Sequence, residues 1–284
     1  MKPLAEAQAR AAATYDAAAD TYDAAANTFW DRFGRRTVGR LDLAAGARVL
    51  DVCCGSGASA IPAAEAVGAT GSVLGIDLSQ RLLEIARRKA RLRGLSKVEF
   101  RGGDMLDLGL SAGEFDAVVC VFGIFFVPDM AAAVRALWEL VRPGGRLAIT
   151  TWGPRFFEPG STAFWNSVRA VAPELHRSFN PWDRICDPDA LRRLLADAGI
   201  VSCDVIAEAG EHPIAAPEAW WSAVLGSGYR GTWEQLDATA RERVRLENLA
   251  FIRERGVRAV QANVVYAIAV KPRRGMSARR QLVA

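Results

Sequence analysis

The stretch Val49-Leu50-Asp51-Val52-Cys53-Cys54-Gly55-Ser56-Gly57 joins an apolar, β-branched run to an acid and then to a glycine-rich turn. A turn of this kind, opening a helix, presents free backbone N–H groups and lets a nucleotide-type cofactor approach the main chain. Val73-Leu74-Gly75-Ile76 repeats the apolar pattern and ends in Asp77, 22 positions past Gly55. An acid at the tip of the neighbouring strand suits a bidentate grip on a ribose diol. Two cofactor classes fit this much, because Gly55-Ser56-Gly57-Ala58-Ser59-Ala60 also reads as G-x-G-x-x-A, the dinucleotide fingerprint. Asp51 separates them: a carboxylate ahead of the glycines repels a pyrophosphate. A cofactor carrying an amino acid and no phosphate tolerates that acid, whose charge favours an ammonium. The pattern points to S-adenosylmethionine.

Four further segments extend the pattern: Gly75-Ile76-Asp77-Leu78-Ser79, Gly103-Asp104-Met105, Phe115-Asp116-Ala117-Val118-Val119 and Arg142-Pro143-Gly144-Gly145-Arg146-Leu147. In order and spacing the set resembles the class I S-adenosylmethionine-dependent methyltransferases, within the small-molecule group similar to the ubiquinone/menaquinone-biosynthesis enzymes. The motif match covers roughly residues 45–152. One position departs from the family: Cys53 stands where a glycine is usual, so an ordinary backbone conformation is expected there.

Strands and helices alternate from Ala47 to Thr151, which argues for a parallel sheet covered on both faces. Strands are expected near 47–53, 72–77, 97–101, 115–121 and 145–151, and helices near 58–67, 80–93 and 130–141. Ser79 reads as an N-cap, and Gly68 and Gly94 as C-terminal caps. Beyond Trp152, prolines break residues 153–188 into short pieces. Helices follow over 188–198, 217–226 and 233–255, and strands over Val201–Ala209 and Ala259–Val270. The resemblance makes the fold α/β and Rossmann-like: a seven-stranded, mostly parallel sheet in order 3-2-1-4-5-7-6, flanked by helices. It divides the chain into an N-terminal helical lid (1–40), a cofactor-binding core (41–152), a substrate cap with the last two strands (153–270) and a basic tail (271–284).

The resemblance also assigns roles. Gly55 and Gly57 let the backbone approach the cofactor beside Cys53, and Asp51 lies near its methionine end. Asp77 holds the ribose, Leu78 packs on the adenine, and Asp104 accepts from the adenine amino group with Met105 alongside. Val121 and Phe122, ending the fourth strand, position the methionine part. Tyr15-Asp16 recurs as Tyr22-Asp23 seven residues later, two helical turns on, so both tyrosines share a face. That face is either surface packing or, in the family, a lid over the cofactor. Trp30, Phe126, Trp152 and Trp182 are expected in an apolar pocket for a flat or hydrophobic acceptor. Of the two histidines, His176 is the better candidate for a general base and His212 the weaker.

The expected reaction is transfer of a methyl group from S-adenosylmethionine to an oxygen, nitrogen or carbon nucleophile of a small, largely apolar, aromatic or quinone-like metabolite. S-adenosylhomocysteine is the product. An NAD-type oxidoreductase is the rival, opposed by Asp51 and by the lack of a Tyr-x-x-x-Lys pair. A non-catalytic, cofactor-binding regulatory protein on the same fold is the other alternative. Composition narrows the partners. The 284 residues are 51% hydrophobic with a formal charge of +4, and all but four of the 36 basic residues are arginines. Neither a nucleic-acid partner nor a membrane is expected. The longest uncharged apolar run, Ala117–Val127, falls well short of the roughly 20 residues that span a bilayer. Five cysteines without C-x-x-C spacing suggest no metal site and a reducing, cytoplasmic setting. A homodimer is compatible with this reading.

Overall fold

The computed structural model describes residues 2–273, so most of the basic tail read from residue 271 lies outside the described residues. Two helices lead, α1 (Lys2–Tyr22) and α2 (Phe29–Gly39). The first half then alternates: β1 (Arg48–Val52), α3 (Ala60–Val67), β2 (Ser72–Asp77), α4 (Gln80–Leu92), β3 (Val98–Gly102), β4 (Phe115–Val121), α5 (Met130–Leu140) and β5 (Val141–Trp152). The second half holds α6 (Gly160–Val171), α7 (Pro188–Asp197), β6 (Asp204–Glu208), β7 (Glu211–Pro213) and α8 (Pro217–Leu225). It closes with α9 (Arg230–Trp233), α10 (Ala238–Glu254), β8 (Ala259–Gln261) and β9 (Val264–Val270).

Seven strands form one sheet in the order β3-β2-β1-β4-β5-β9-β6, and β7 pairs with β8 outside it. Counted within the sheet, β9 is the seventh strand, so the order is the expected 3-2-1-4-5-7-6. The first five strands run parallel, while β9 is antiparallel to both β5 and β6. Strand alternation explains why helices cover both faces. Along β4, Val118 and Cys120 enter one core cluster and Ala117 and Val119 the other.

Five boundaries differ from the sequence reading by two residues or more, two of them late starts: β6 begins at Asp204 and not at 201, and α10 at Ala238 and not at 233, where Asp237 caps it by accepting from Ala240 N–H. Helix α3 starts at Ala60 and not at 58, because the Ser59 hydroxyl donates to Asp51 at 2.7 Å and gives its helix no side-chain cap. Strand β5 starts at Val141, carrying Pro143-Gly144-Gly145 through an irregularity where its register against β4 shifts. The single strand expected over 259–270 is broken into β8 and β9. Between them Ala262 N–H donates to Gly210 O and Asn263 O accepts from Gly153 N–H, so both leave the ladder. Gly68 and Gly94 take φ of +67° where caps were expected, and Ser79 Oγ accepts from Leu82 N–H. Among the described residues no helix is long and apolar enough to cross a membrane.

Candidate functional site

The carboxyl ends of β1, β2 and β4 meet under α1, the crevice where open parallel sheets hold ligands. The turn after β1 is tied down by its own backbone: Cys54 N–H donates to Ile76 O at 3.1 Å and Gly57 N–H to Cys54 O at 2.9 Å. Gly55 and Gly57 have φ of +52° and +86°. Cys53 corrects the expectation of an ordinary conformation, because its φ is +60°. The fold imposes the turn that the usual glycine would adopt freely, at a strain of about 1–3 kcal/mol. Its side chain finds room only because residue 123 is glycine; a Cβ there would stand 2.7 Å from Cys53 Sγ. Phe122, at the end of β4, is a second non-glycine at positive φ, +56°.

Asp77 is bound from two sides, accepting from Gly55 N–H at 2.8 Å and from Ser79 N–H at 2.9 Å. Burial raises its pKa, against the lowering effect of those N–H groups. Its carboxylate lines a cavity whose empty volume is about 850 Å³, part of it open to solvent. Of the predicted residues, Tyr15, Tyr22, Cys53, Gly55, Leu78 and Asp104 lie on the same wall, and Met105, Val121 and Phe122 complete it. Asp51 and Gly57 do not reach it.

One face of α1 roofs the cavity through Gln8, Ala11, Ala12 and Tyr15. Gln8 precedes Tyr15 by seven residues, as Tyr15 precedes Tyr22, so the heptad signal extended one step further than was read. The Gln8 amide donates to Asp104 Oδ2, while Asp104 Oδ1 accepts from Leu106 N–H at 2.9 Å. Toward the other end of α1, Asp16 accepts from Ser79 Oγ at 2.6 Å and Asp20 pairs with Arg81 at 2.5 Å. Beyond it, Asp23 accepts from Ser56 Oγ at 2.7 Å and pairs with Lys89 at 3.0 Å.

Asp51 sits beneath this turn, fully buried, with Oδ2 accepting from Ser59 and Oδ1 without a partner. Burial pushes its pKa up to about 7, and the nearby Asp77 adds to the rise. The expected role beside the methionine end therefore becomes a place under the floor. A carboxyl that binds its proton more tightly when folded stabilises the fold at low pH. That contribution is lost as pH rises from about 4 to about 7 and is constant above. Asp51→Asn should abolish that slope. Melting temperatures from pH 4.5 to 7.5 should show the variant gaining on the parent as pH rises; parallel curves would refute the assignment.

A second cavity, of about 630 Å³, adjoins the first and is walled mostly by aromatic rings, Trp152 and Trp182 among them. Tyr15, Trp30, Phe122 and Phe126 line both cavities. Stacked pairs stiffen the junction: Tyr22 on Trp30 at 4.7 Å and Phe122 on Trp152 at 3.8 Å. His176 lines neither cavity; it stands edge-on to Trp165, ring centroids 6.0 Å apart. His212 is buried against Phe29, and burial lowers its pKa to about 4, so it is neutral at physiological pH. Arg177, which sequence reasoning passed over, lines the second cavity.

Residues 49–145 match a family model described as a methyltransferase domain. Nocamycin O-methyltransferase of Saccharothrix syringae is 32% identical over 251 residues, covering 84% of this chain and 86% of that protein. Demethylmenaquinone methyltransferase of Oceanobacillus iheyensis is 38% identical over 111 residues, 39% of this chain and 47% of the relative. Among solved structures, the YcgJ protein of Bacillus subtilis matches with a TM-score of 0.56 at 16% identity, over 85% of this chain and 99% of its own. That last likeness shows the fold alone.

Proposed function

The chain belongs to the S-adenosylmethionine-dependent methyltransferase family, and from that membership we propose how its two chambers divide the reaction. The enzyme transfers a methyl group from S-adenosylmethionine to a small metabolite. In our reading the first chamber seats the cofactor and the second an apolar acceptor. One observation carries this division: four rings, of Tyr15, Trp30, Phe122 and Phe126, belong to both walls, so ligands in the two chambers meet there.

The first chamber suits the cofactor on its own features. Asp77, with two backbone donors already engaged, has lone pairs left for a ribose diol. Leu78 and Met105 offer apolar surface to a flat base, with Asp104 placed for its amino group. Cys53, Val121 and Phe122 surround the methionine end. When bound, S-adenosylmethionine supplies a methyl group already activated on a sulfonium. The chain's own contribution is to orient the acceptor toward the shared wall and to keep water from it. His176, outside both walls, is given no part.

Thermal shift tests the reading directly. S-adenosylhomocysteine should raise the melting point, and NAD or NADP should not; a shift with the dinucleotides alone would replace methyl transfer by redox chemistry. A mass gain of one methyl on an apolar acceptor then establishes turnover. Gln8 adds a further expectation. Its amide competes with the adenine amino group for the Asp104 carboxylate, and a hydrogen bond to a charged group is worth about 1.5–3 kcal/mol net. Gln8→Ala should therefore tighten S-adenosylhomocysteine binding about tenfold or more by calorimetry. Weaker binding would mean that Gln8 grips the cofactor itself.

A further inference from the structure

Among the described residues the acceptor chamber holds one charged side chain, Arg177, and no carboxylate, imidazole, thiol or amine. Arg177 stands at the exposed rim of the chamber, where its five N–H donors, fixed in a fork, are free of any ion pair or hydrogen bond with the described residues and are shared between solvent and the chamber. Asp183, whose charge acts on Tyr229, does not line the chamber and is engaged with Asn180, accepting from its backbone N–H at 2.7 Å.

None of the chamber's hydroxyls is a base: those of Ser227 and Thr232 are aliphatic alcohols, and those of Tyr15 and Tyr229 stay protonated. Tyr229 donates to Ser161 at 2.9 Å, and burial raises its pKa; burial likewise raises that of Tyr15. Ser227 donates to Val224 O at 3.3 Å. Nothing in this wall could deprotonate a neutral alcohol or phenol, and its one charge is positive.

We propose that the acceptor enters as an anion: a flat, apolar molecule carrying a conjugated oxyanion, of the enolate, phenolate or arylcarboxylate class, whose negative charge Arg177 recognises. The proposal rests on the assignment of this chamber to the acceptor. It accounts for a methyltransferase chamber without a base, since an acceptor ionised in solution brings its own nucleophile. An oxygen lone pair forms the new O–CH3 bond as the S–CH3 bond breaks, and the bonding pair stays on sulfur. No proton moves. The sulfonium becomes a neutral thioether and the oxyanion a neutral ether or ester. Methylation thereby removes the charge that Arg177 holds, so the product binds more weakly than the acceptor. Arg177 is a specificity-determining residue here; it lines the acceptor chamber and not the cofactor chamber.

Two probes of one shape separate charge from apolar fit: 2-naphthoate and its neutral counterpart 2-naphthamide. Each is titrated by tryptophan fluorescence into the full chain saturated with S-adenosylhomocysteine. The parent should bind the anion at least tenfold more tightly than the amide. Arg177→Gln should bring that ratio close to one by weakening the anion alone, and Arg177→Lys should restore part of it. The thermal shift with S-adenosylhomocysteine should be the same in all three proteins. Equal binding of both probes, binding of neither, or a preference that survives Arg177→Gln overturns the proposal. Loss of the S-adenosylhomocysteine shift in the parent overturns the methyltransferase assignment instead, so the two failures are distinguishable.

Discussion

Asp77→Ala should erase the thermal stabilisation that S-adenosylhomocysteine gives the parent protein. At a hundredfold excess over its dissociation constant, a ligand stabilises by roughly 2.7 kcal/mol, which for a chain of this size is several degrees. The variant loses two things together. It loses the carboxylate proposed to grip the ribose, and it loses the acceptor for Gly55 and Ser79 N–H, which holds the β1 turn against the start of α4. Hydrogen bonds to a charged group contribute about 1.5–3 kcal/mol each, so the unliganded protein should also melt earlier. Asp77→Asn separates the effects in part, because its one oxygen keeps one of the two backbone bonds while its NH2 replaces the other acceptor. It should melt closer to the parent and still bind poorly. A full ligand shift in Asp77→Ala would remove this residue from the cofactor site.

The second large effect is expected at Gly34, in α2. A Cβ there would stand 2.3 Å from Ala58 O and 2.9 Å from Ser59 N, both backbone atoms that cannot turn aside. Helix α2 thus lies main chain to main chain on the segment that follows the glycine turn. Gly34→Ala must push the helix away, although alanine favours helices by about 1 kcal/mol over glycine. The helix also carries Trp30 and Phe33 into the aromatic junction, and Thr37, whose hydroxyl lies 2.8 Å from that of Thr150 in β5. Overpacking of this kind typically costs about 1–3 kcal/mol, and a backbone obstacle belongs at the upper end or beyond. Gly39 supplies the control, since a Cβ there meets nothing within 4 Å. Urea melts should show Gly34→Ala clearly destabilised and Gly39→Ala close to the parent. Equal midpoints for the two would mean that α2 does not pack as described.

Strands β1 and β2 were legible because each apolar run halts at or near an acid beside a glycine or cap, a pattern that only a strand feeding a helix requires. The same local pattern could not tell Asp51 from Asp77. Both are acids near strand ends, but Asp77 is the last residue of its strand and opens into the cavity. Asp51 is one residue short of the end of β1 and turns beneath the loop. Strand parity and the path of the following turn decide this, and neither is written in residue type. Cys53 was misread for a related reason. Backbone preference ranks a thiol against positive φ, yet the bonds from Cys54 to Ile76 and from Gly57 to Cys54 hold the turn regardless. The break between β8 and β9 was hidden because Val260-Gln261-Ala262-Asn263-Val264 keeps the apolar–polar alternation of an unbroken strand. The acceptor chamber was only partly legible. Its aromatics stood out by type, but Arg177 was one arginine among many, and only the tertiary fold sets it apart.

The seam of four rings carries a consequence for how such a chain diversifies. The side proposed for the cofactor is drawn from α1 and the strand ends of the sheet. The side proposed for the acceptor is drawn largely from 156–182 and 227–232, outside the parallel core, with Trp152 at the end of β5 as the fixed point. Mutational drift in those later segments can reshape the acceptor seat without disturbing a sheet strand or the β1 turn. The metabolite recognised can therefore change while the methyl donor stays the same, each half of the reaction inherited on its own stretch of gene.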